Sequence, residues 1–461
     1  MGVIVEALVA HGGDAEASPL AIVAYLSSAV LDQSHTIIIG SSFLVAATAN
    51  ILTQAGAVTA LILHLGRLVL QRRSLMVTSW LSGLVLFFDD YANCLVIGNS
   101  FAPIYDRCRV SREKLAYIVD STAAPIASIS VISTWIGYEL DLISKALQNL
   151  SISDSAFSIF LQSIPYRFYS IFTLAFVAFI AFSGMDFGPM KRAELRAARQ
   201  PKVKVLPEES LPNQKLTWLA TTAIALMVLV TLCTLIIDGY SRTFEFTRQT
   251  SLPQIISAAD PLRAMLAGSG SAFGVTIILS LKIHALSCRS VIRAARSGFR
   301  SVLGALVVLY LAWTLGHALE GAGTSNYLSS LLETEVPAWI LPSLSFLLAA
   351  GISLSTGSSF GTMGILIPII LPLSVPLQPE MGDFIFFAST ASVLAGASLG
   401  DHMSPISDTT VLSAAGSGTS VVSHTHTQLP YALSVGGIAL LAGYLPAGLG
   451  ISPLDFDPIG S

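Results

Sequence analysis

Phe87-Phe88-Asp89-Asp90-Tyr91-Ala92-Asn93 sets two adjacent carboxylates near the middle of an apolar run covering residues 74–104. A carboxylate at the centre of a bilayer costs roughly 2.5–3.5 kcal/mol on insertion scales, and two neighbours repel each other. A cation, a proton or a cationic partner would relieve that cost. On a helix, successive residues point about 100° apart, so the two need not face one cavity. The alternative is that one caps a half-helix and the other pairs with an arginine.

Working outward, the run is flanked by Arg67, Arg72 and Arg73 on one side and by Arg107, Arg109, Arg112 and Lys114 on the other. Basic loops mark the cytoplasmic face. If both flanks are cytoplasmic, the run enters and leaves on one side, as a re-entrant hairpin with the aspartate pair at its tip. The competing reading is one long crossing with an exceptional basic loop outside. Irregular backbone at membrane depth is tolerated only where it lines protein or a water-filled cavity.

The rest of the chain has the composition such a segment needs. Of 461 residues, 53 % are hydrophobic and 11 % charged, with a mean hydropathy of +0.72. A soluble domain carries about 25 % charged residues, so a soluble protein of this length could not cover its surface. The net charge of −4 points to no nucleic-acid partner. The four cysteines, Cys94, Cys108, Cys233 and Cys288, have no CxxC spacing, so neither a zinc site nor a disulfide framework is indicated. The first residues lack a basic n-region, so no cleaved signal is expected, and Glu6 stands where myristoylation needs Ser or Thr. The glycines between 357 and 364 lack the lysine of a phosphate loop. No cofactor is expected, and coupling to an ion gradient replaces ATP.

A spanning helix needs about 20 mostly apolar residues. Candidate segments are 36–51, 58–70, 74–104, 115–140, 158–182, 216–237, 262–281, 302–319, 338–373, 384–412 and 431–449, about ten or eleven membrane-embedded pieces. Gly56 and Gly66 leave 36–70 readable as one kinked unit. The basic stretches 190–204 and 282–300 are expected in the cytoplasm, and 238–260 and 320–335 outside. Glu139 is read as interfacial. His424 and His426, spaced by two with no third ligand, are read as part of a solvated cytoplasmic loop.

The two halves resemble each other. In the second, the Ser/Thr/Gly-interrupted run 349–370 contains Ser355-Thr356-Gly357-Ser358-Ser359-Phe360-Gly361-Thr362, and 388–412 is interrupted at Asp401-His402-Met403-Ser404-Pro405-Ile406-Ser407-Asp408. In the first, the aspartate hairpin is followed by Asp120-Ser121-Thr122-Ala123-Ala124-Pro125, where Pro125 removes an amide and disfavours helix at Ala124. Paired broken segments point to a transporter site between inverted repeats. The expected organisation is a first membrane repeat over 1–189, a basic cytoplasmic linker over 190–214 and a second, inverted repeat over 215–461. Ser128, Ser130, Ser133 and Thr134 extend a polar stripe that helix packing by small residues also explains.

The strings 87–93, 111–125 and 132–137, with 361–364, 400–410 and 427–432, resemble those of the NhaC-type Na⁺/H⁺ antiporters, and the likeness covers most of 37–446. The resemblance implies an all-α polytopic membrane protein of the ion-transporter superfamily, with inverted repeats that each hold a re-entrant hairpin and a broken helix. It implies an inner (plasma) membrane location and a homodimer. Similar sequences include a malate–lactate antiporter and amino-acid transporters, so a small organic solute stays open beside Na⁺ and H⁺. Family members carry further segments before position 36. Residues 1–32 offer only two short apolar stretches, 3–9 and 20–30, so either the chain is trimmed or its first repeat is incomplete.

Together these features give the expected site. Asp89, Asp90, Asn93, Asp120, Ser121 and Thr122 form one half, and Thr356, Ser358, Ser359, Thr362, Asp401, His402, Ser404, Ser407 and Asp408 the other. Na⁺ prefers hard oxygen donors, as Ca²⁺ and Mg²⁺ do, and is assigned to Asp90, Asn93, Asp120, Thr122 and Asp408. His402 could titrate near physiological pH or serve as a structural hydrogen-bonding group. Asp408 is the better proton carrier. Burial raises a carboxyl pKa and a nearby Na⁺ lowers it, which makes Na⁺ and H⁺ competitors for one site.

Overall fold

A computed structural model describes residues 33–65, 71–150, 152, 155–200, 213–243, 255, 259–321, 337–375 and 384–451. The stretches 3–9 and 20–30, and the external loop 320–335 beyond residue 321, lie outside them. Among the described residues all regular structure is helical: α1 Gln33–Gln54, α2 Ala57–Leu65, α3 Arg72–Val85, α4 Asp90–Cys108, α5 Arg112–Ile129, α6 Ile136–Asn149, α7 Ala156–Ser163, α8 Phe168–Ser183, α9 Gly188–Arg199, α10 Gln214–Thr243, α11 Pro261–Lys282, α12 Cys288–Gly321, α13 Leu341–Thr356, α14 Ser359–Ser374, α15 Phe384–Met403, α16 Asp408–Ser417 and α17 Val421–Ala439. A π-turn, Leu440–Tyr444, prolongs α17 to Gly448. Among the described residues, six helices are long and apolar enough to cross a bilayer: α1, α8 running on into α9, α10, α11, α15 and α17 with its extension. The chain is an integral, multi-pass membrane protein.

The run through Asp89-Asp90 is a hairpin. Its arms α3 and α4 are antiparallel: Tyr105 in α4 donates to Ser79 in α3 at 3.1 Å. At the tip, the Asn93 amide donates to the carbonyls of Gly83 (2.8 Å) and Leu86 (3.3 Å), tying the arms together. The two open ends are held by one carboxylate. Glu194 of α9 pairs with Arg72 at the start of α3 and accepts the Ser111 amide (2.8 Å) and hydroxyl (2.6 Å) just past the end of α4. Both ends therefore lie on one face, and α3, at 14 residues about 21 Å long, falls short of a bilayer core of about 30 Å.

α13 and α14 form the second hairpin. Gly357, at φ +66, turns the chain, and Ser358 caps α14 by accepting the Gly361 amide at 3.1 Å. This hairpin opens on the opposite face. Its base packs on the end of the α17 extension, where Gly448 lies against the Trp339 carbonyl, whereas α17 begins on the face where Glu194 closes the first hairpin.

The first helical break differs from the sequence expectation. α5 runs unbroken through Asp120 and Pro125 to Ile129, and the chain opens at 130–135 instead. Pro125 costs one backbone hydrogen bond, and tight packing on all sides carries the helix past it, since nearly every residue of α5 is buried. The second break, 404–407 between α15 and α16, lies where expected. Two further corrections concern the basic stretches. Residues 188–199 are not a loop but an amphipathic helix, with Met190, Ala193, Glu194 and Ala197 inward and its basic residues outward. Most of 282–300 belongs to the first turns of α12.

Close packing joins hairpins to broken helices. A Cβ on Gly400 of α15 would lie 2.3 Å from the Ala350 carbonyl of α13, and one on Gly98 of α4 would lie 2.6 Å from the Gly416 carbonyl carbon of α16. Each hairpin thus sets its first arm on the helix before the break in its own half (α3 on α5, α13 on α15). The second arm lies on the helix after the break in the other half (α4 on α16, α14 on α6).

Candidate functional site

Four polar turns meet inside this arrangement: two hairpin tips and two breaks. At the first tip, Asp90 opens α4. Its Oδ1 accepts the Tyr91 amide (3.0 Å), and its Oδ2 accepts the indole N–H of Trp135 (3.0 Å) from the end of the first break. Thr134 donates its amide to the Phe88 carbonyl at 3.0 Å, so break and tip are joined by backbone as well. Asp89 is buried beside it, and its carbonyl closes the first turn of α4 by accepting the Asn93 amide at 3.0 Å.

Across the interface, Tyr91 donates its hydroxyl to Asp408, the first residue of α16. Asp408 is exposed on one side yet crowded by protein on the others, as the wall of a cleft would be. Asp408 stands in the electrostatic field of both Asp90 and Asp401, and Asp120 is close enough to act on Asp401 and Asp408. Asp401, in the last turn of α15, accepts the Thr409 hydroxyl at 2.9 Å through Oδ2, while its buried Oδ1 has no partner.

Asp120 is the most thoroughly bonded of the four. Its Oδ2 accepts Gln428 (2.6 Å) and Thr410 (3.3 Å) and lies 3.2 Å from His424 Nε2; its Oδ1 accepts Ser413 (3.3 Å). Ser413 also points its hydroxyl at Cys94 Sγ, 3.1 Å away. α17 therefore supplies two buried groups, His424 and Gln428, and His424 belongs to the centre rather than to a solvated loop. That misplacement has a simple cause. A pair of histidines spaced by two reads as a surface tract, and only helix geometry shows that residues 424 and 428 share one face.

The remaining expected residues divide by position. His402 is buried; its Nδ1 lies 2.8 Å from the Tyr169 hydroxyl, its carbonyl accepts Gln428 at 2.9 Å, and its Nε2 has no partner. Ser407 caps α16 at the Thr410 amide (3.4 Å), and Ser404 is buried with a free hydroxyl. Ser121 is buried beside the Tyr117 phenol. The Thr122 hydroxyl returns to the Ile118 carbonyl (2.8 Å) against Gly83, so it faces α3. At the second tip, Ser359 donates to Ala397 (3.2 Å), and Thr362 and Thr356 bond back into their own helices. Thr356 is exposed beside Gly357, which packs directly on Ile406 of the second break. Phe360 packs at a tilt against Trp135 and Tyr138, with centroids 5.2 and 5.3 Å away, and its carbonyl accepts the Tyr138 hydroxyl at 2.7 Å. Sequence reading did not assign Tyr91, Trp135, Ser413 or Gln428 to the site, and it set His424 in a solvated loop.

Among the described residues no three His, Cys, Asp or Glu groups close on one point. A hard cation placed here would take one or two carboxylates and complete its shell with hydroxyl and carbonyl oxygens. Buried acceptors without partners are at hand in Asn93 Oδ1, Asp401 Oδ1 and Gln428 Oε1. No Lys or Arg among the described residues pairs with Asp90, Asp120, Asp401 or Asp408.

The breaks share one template. Ser130-Val131-Ile132-Ser133 and Ser404-Pro405-Ile406-Ser407 match at three of four positions, with Val131 against Pro405, and each leading serine donates its amide three residues back, to Ala127 (3.4 Å) and Asp401 (3.1 Å). In both, the carbonyl two residues before the leading serine takes a side chain from a later segment: Ser128 receives Arg167, and His402 receives Gln428. Arg167 is fully buried, paired with Glu139 at 2.9 Å and stacked on Phe160 at 4.6 Å. Glu139 is thus a core residue and not an interfacial one.

A model of the Na⁺/H⁺ antiporter family matches residues 126–449, a stretch that holds both breaks and α17. The chain belongs to the Na⁺/H⁺ antiporter family. This family member is a secondary transporter. An uncharacterized protein of Haemophilus influenzae is 32 % identical to it over 371 residues, 80 % of this chain and 70 % of that protein. The arginine/ornithine antiporter ArcD of Halobacterium salinarum is 32 % identical over 143 residues, 30 % of this chain and 27 % of ArcD. Among solved structures, the YdaH transporter of Alcanivorax borkumensis superposes with a TM-score of 0.65 at 17 % identity, covering 95 % of this chain and 90 % of its own. MtrF of Neisseria gonorrhoeae, described with a class of antimetabolite efflux pumps, gives 0.59 at 15 %, covering 94 % and 85 %. These two likenesses concern the fold alone.

Proposed function

We propose that this antiporter-family member exchanges Na⁺ for H⁺ across the membrane, at the meeting of the first hairpin tip with the second break. The observation that carries the reading is the set Asp90, Asp120, Asp401 and Asp408, gathered without a lysine or arginine partner among the described residues and with Asp408 exposed on one side. Such carboxylates are relieved by a cation or by protons, and one excludes the other. Asp401, Asp408 and Asp90 hold the cation, with Asn93 Oδ1 and hydroxyls of the second break nearby. Asp120, already satisfied by His424, Gln428, Thr410 and Ser413, supplies field and position. The NhaC-type subfamily, the inverted repeats 1–189 and 215–461 joined by the linker 190–214, and an inner-membrane location belong to the same proposal. The shared break template and the opposite entrances of the two hairpins support the repeats.

In proteoliposomes, a Na⁺ pulse should drive proton flux in the wild type, and Asp401→Asn or Asp408→Asn should abolish it. Absence of Na⁺-dependent flux at every pH tested would overturn the proposal. The similarity to ArcD favours a second reading, exchange of a small organic solute. Counterflow of labelled arginine, ornithine or hydroxy acids without Na⁺-driven proton flux would select it.

A further inference from the structure

On the face where Glu194 closes the first hairpin, a half-open pocket lies between the start of α3, the end of α8 and the outer side of α9. Its charges are unevenly satisfied. Glu194 is taken by Arg72 and Ser111, and Asp186 by Lys114 and Tyr431. Arg73 and Lys191 line the same pocket with no carboxylate partner among the described residues. Gly184 ends α8 in the left-handed conformation, and the Arg73 guanidinium passes 3.6 Å from where a Cβ would stand, so the glycine leaves room for it.

Apolar groups adjoin these charges. Met76 and Leu195, the latter 52 % exposed, line the pocket, and Phe179, Phe182 and Met185, which flank its Ser183 and Gly184 in sequence, are each more than half exposed. α9 turns Lys191, Arg192, Arg196 and Arg199 outward, and of these Arg196 is paired, with Glu113 at 3.2 Å. A helix that is basic outside and apolar inside, beside an exposed aromatic belt, lies at the boundary of headgroups and acyl chains. Two unpaired cations next to that belt match a phosphate that carries its own chains.

We propose that Arg73 and Lys191 form a binding site for one anionic phospholipid headgroup, with its acyl chains against Phe179, Phe182 and Met185. Thermal stability of the purified full chain in detergent tests this, with dihexanoyl phosphatidylglycerol, dihexanoyl phosphatidylcholine and inorganic phosphate as probes. The phosphatidylglycerol should stabilise, and the other two should not at equal concentration. A basic residue near an anionic headgroup is worth about fivefold in affinity. Lys191→Gln, at an exposed position, should therefore raise the half-effective concentration about fivefold, and Arg73→Gln/Lys191→Gln about thirtyfold. Arg192→Gln/Arg199→Gln, on the same helix outside the pocket, should change it less than twofold. Equal stabilisation by phosphatidylcholine, or by phosphate alone, overturns the proposal. So does an equal loss in the Arg192/Arg199 variant, which would mean diffuse attraction with no site.

Discussion

Replacing Arg167 by methionine should be among the most destabilising single changes in this protein, and the structure says why. Its guanidinium pairs with Glu139, donates to the Ser128 carbonyl and reaches Ser163 Oγ at 3.3 Å, all without solvent. Arg167→Met strands the Glu139 carboxylate in the core, which costs about 3–5 kcal/mol when one partner of a buried pair is lost. Glu139→Leu strands the guanidinium instead and should cost a similar amount, somewhat eased by Ser128. Glu139→Leu/Arg167→Met removes both charges and leaves mainly the Ser128 carbonyl unpaired, about 1–3 kcal/mol. The two single losses thus sum to at least about 6 kcal/mol and the double loss stays near 2, a coupling of at least about 4 kcal/mol. Reversible unfolding in mixed micelles, titrated with a denaturing detergent, measures all three. Losses that add to within about 0.5 kcal/mol would refute the pairing. Because neither residue touches the four carboxylates, the double variant should retain Na⁺-driven proton flux.

Three further outcomes are expected. Tyr91→Phe frees Asp408 from a charge-assisted hydrogen bond worth about 1.5–3 kcal/mol, so apparent Na⁺ affinity in the flux assay should tighten about tenfold, and an unchanged or weaker affinity would count against Tyr91 as a competitor for that oxygen. Gly98→Ala should cost about 1–3 kcal/mol by overpacking α4 on α16, seen as a lower melting temperature, whereas Gly437→Ala, with open space around it, should not destabilise. Glu194→Gln removes the charge that holds both ends of the first hairpin, so hydrogen exchange should rise in residues 72–76 and 109–112 and stay unchanged in α14.

The hairpin through Asp89-Asp90 was legible because it rests on charge. Positive flanks 72–73 and 107–114 constrain both ends to one face whatever the side chains do inside, and Glu194 realises that constraint. The second break was legible because Pro405 and a run of polar residues leave the backbone no helical alternative. The first break was not. Pro125 looks like the stronger helix breaker, but a proline in a membrane helix loses a single hydrogen bond, and buried neighbours hold the helix together. The chain opens instead at Ser130–Thr134, where polar side chains offer the backbone other partners: Ser133 donates to the Ala127 carbonyl at 2.9 Å and accepts the Trp135 amide at 3.2 Å. His424 was misplaced and Gln428 missed for another reason. Their role depends on α17 passing Asp120, a contact between residues about 300 apart that no local pattern encodes.

With the breaks aligned on their serines, Asp401 corresponds to Ala127 and His402 to Ser128, so Asp120 has no counterpart role to Asp401. That alignment separates what the two halves share from what they do not. Geometry is shared: a hairpin tip, a carbonyl end, and a side chain from a later segment bonded to it. Charge is not. The first break holds a guanidinium that cannot lose its proton and a glutamate that answers it. The second holds a neutral amide, Gln428, at the corresponding carbonyl, with Asp401 and Asp408 beside it. A break with its own fixed cation has no need of a mobile one. A break with carboxylates and a neutral donor is left with negative charge that only an ion or a proton from outside can meet. In the proposed Na⁺/H⁺ exchange, the demand for a cation therefore falls on the second break and on Asp90, which reaches it from the first hairpin. On that proposal, Arg167, by answering Glu139 and the Ser128 carbonyl, is the residue that would keep the first break out of the exchange.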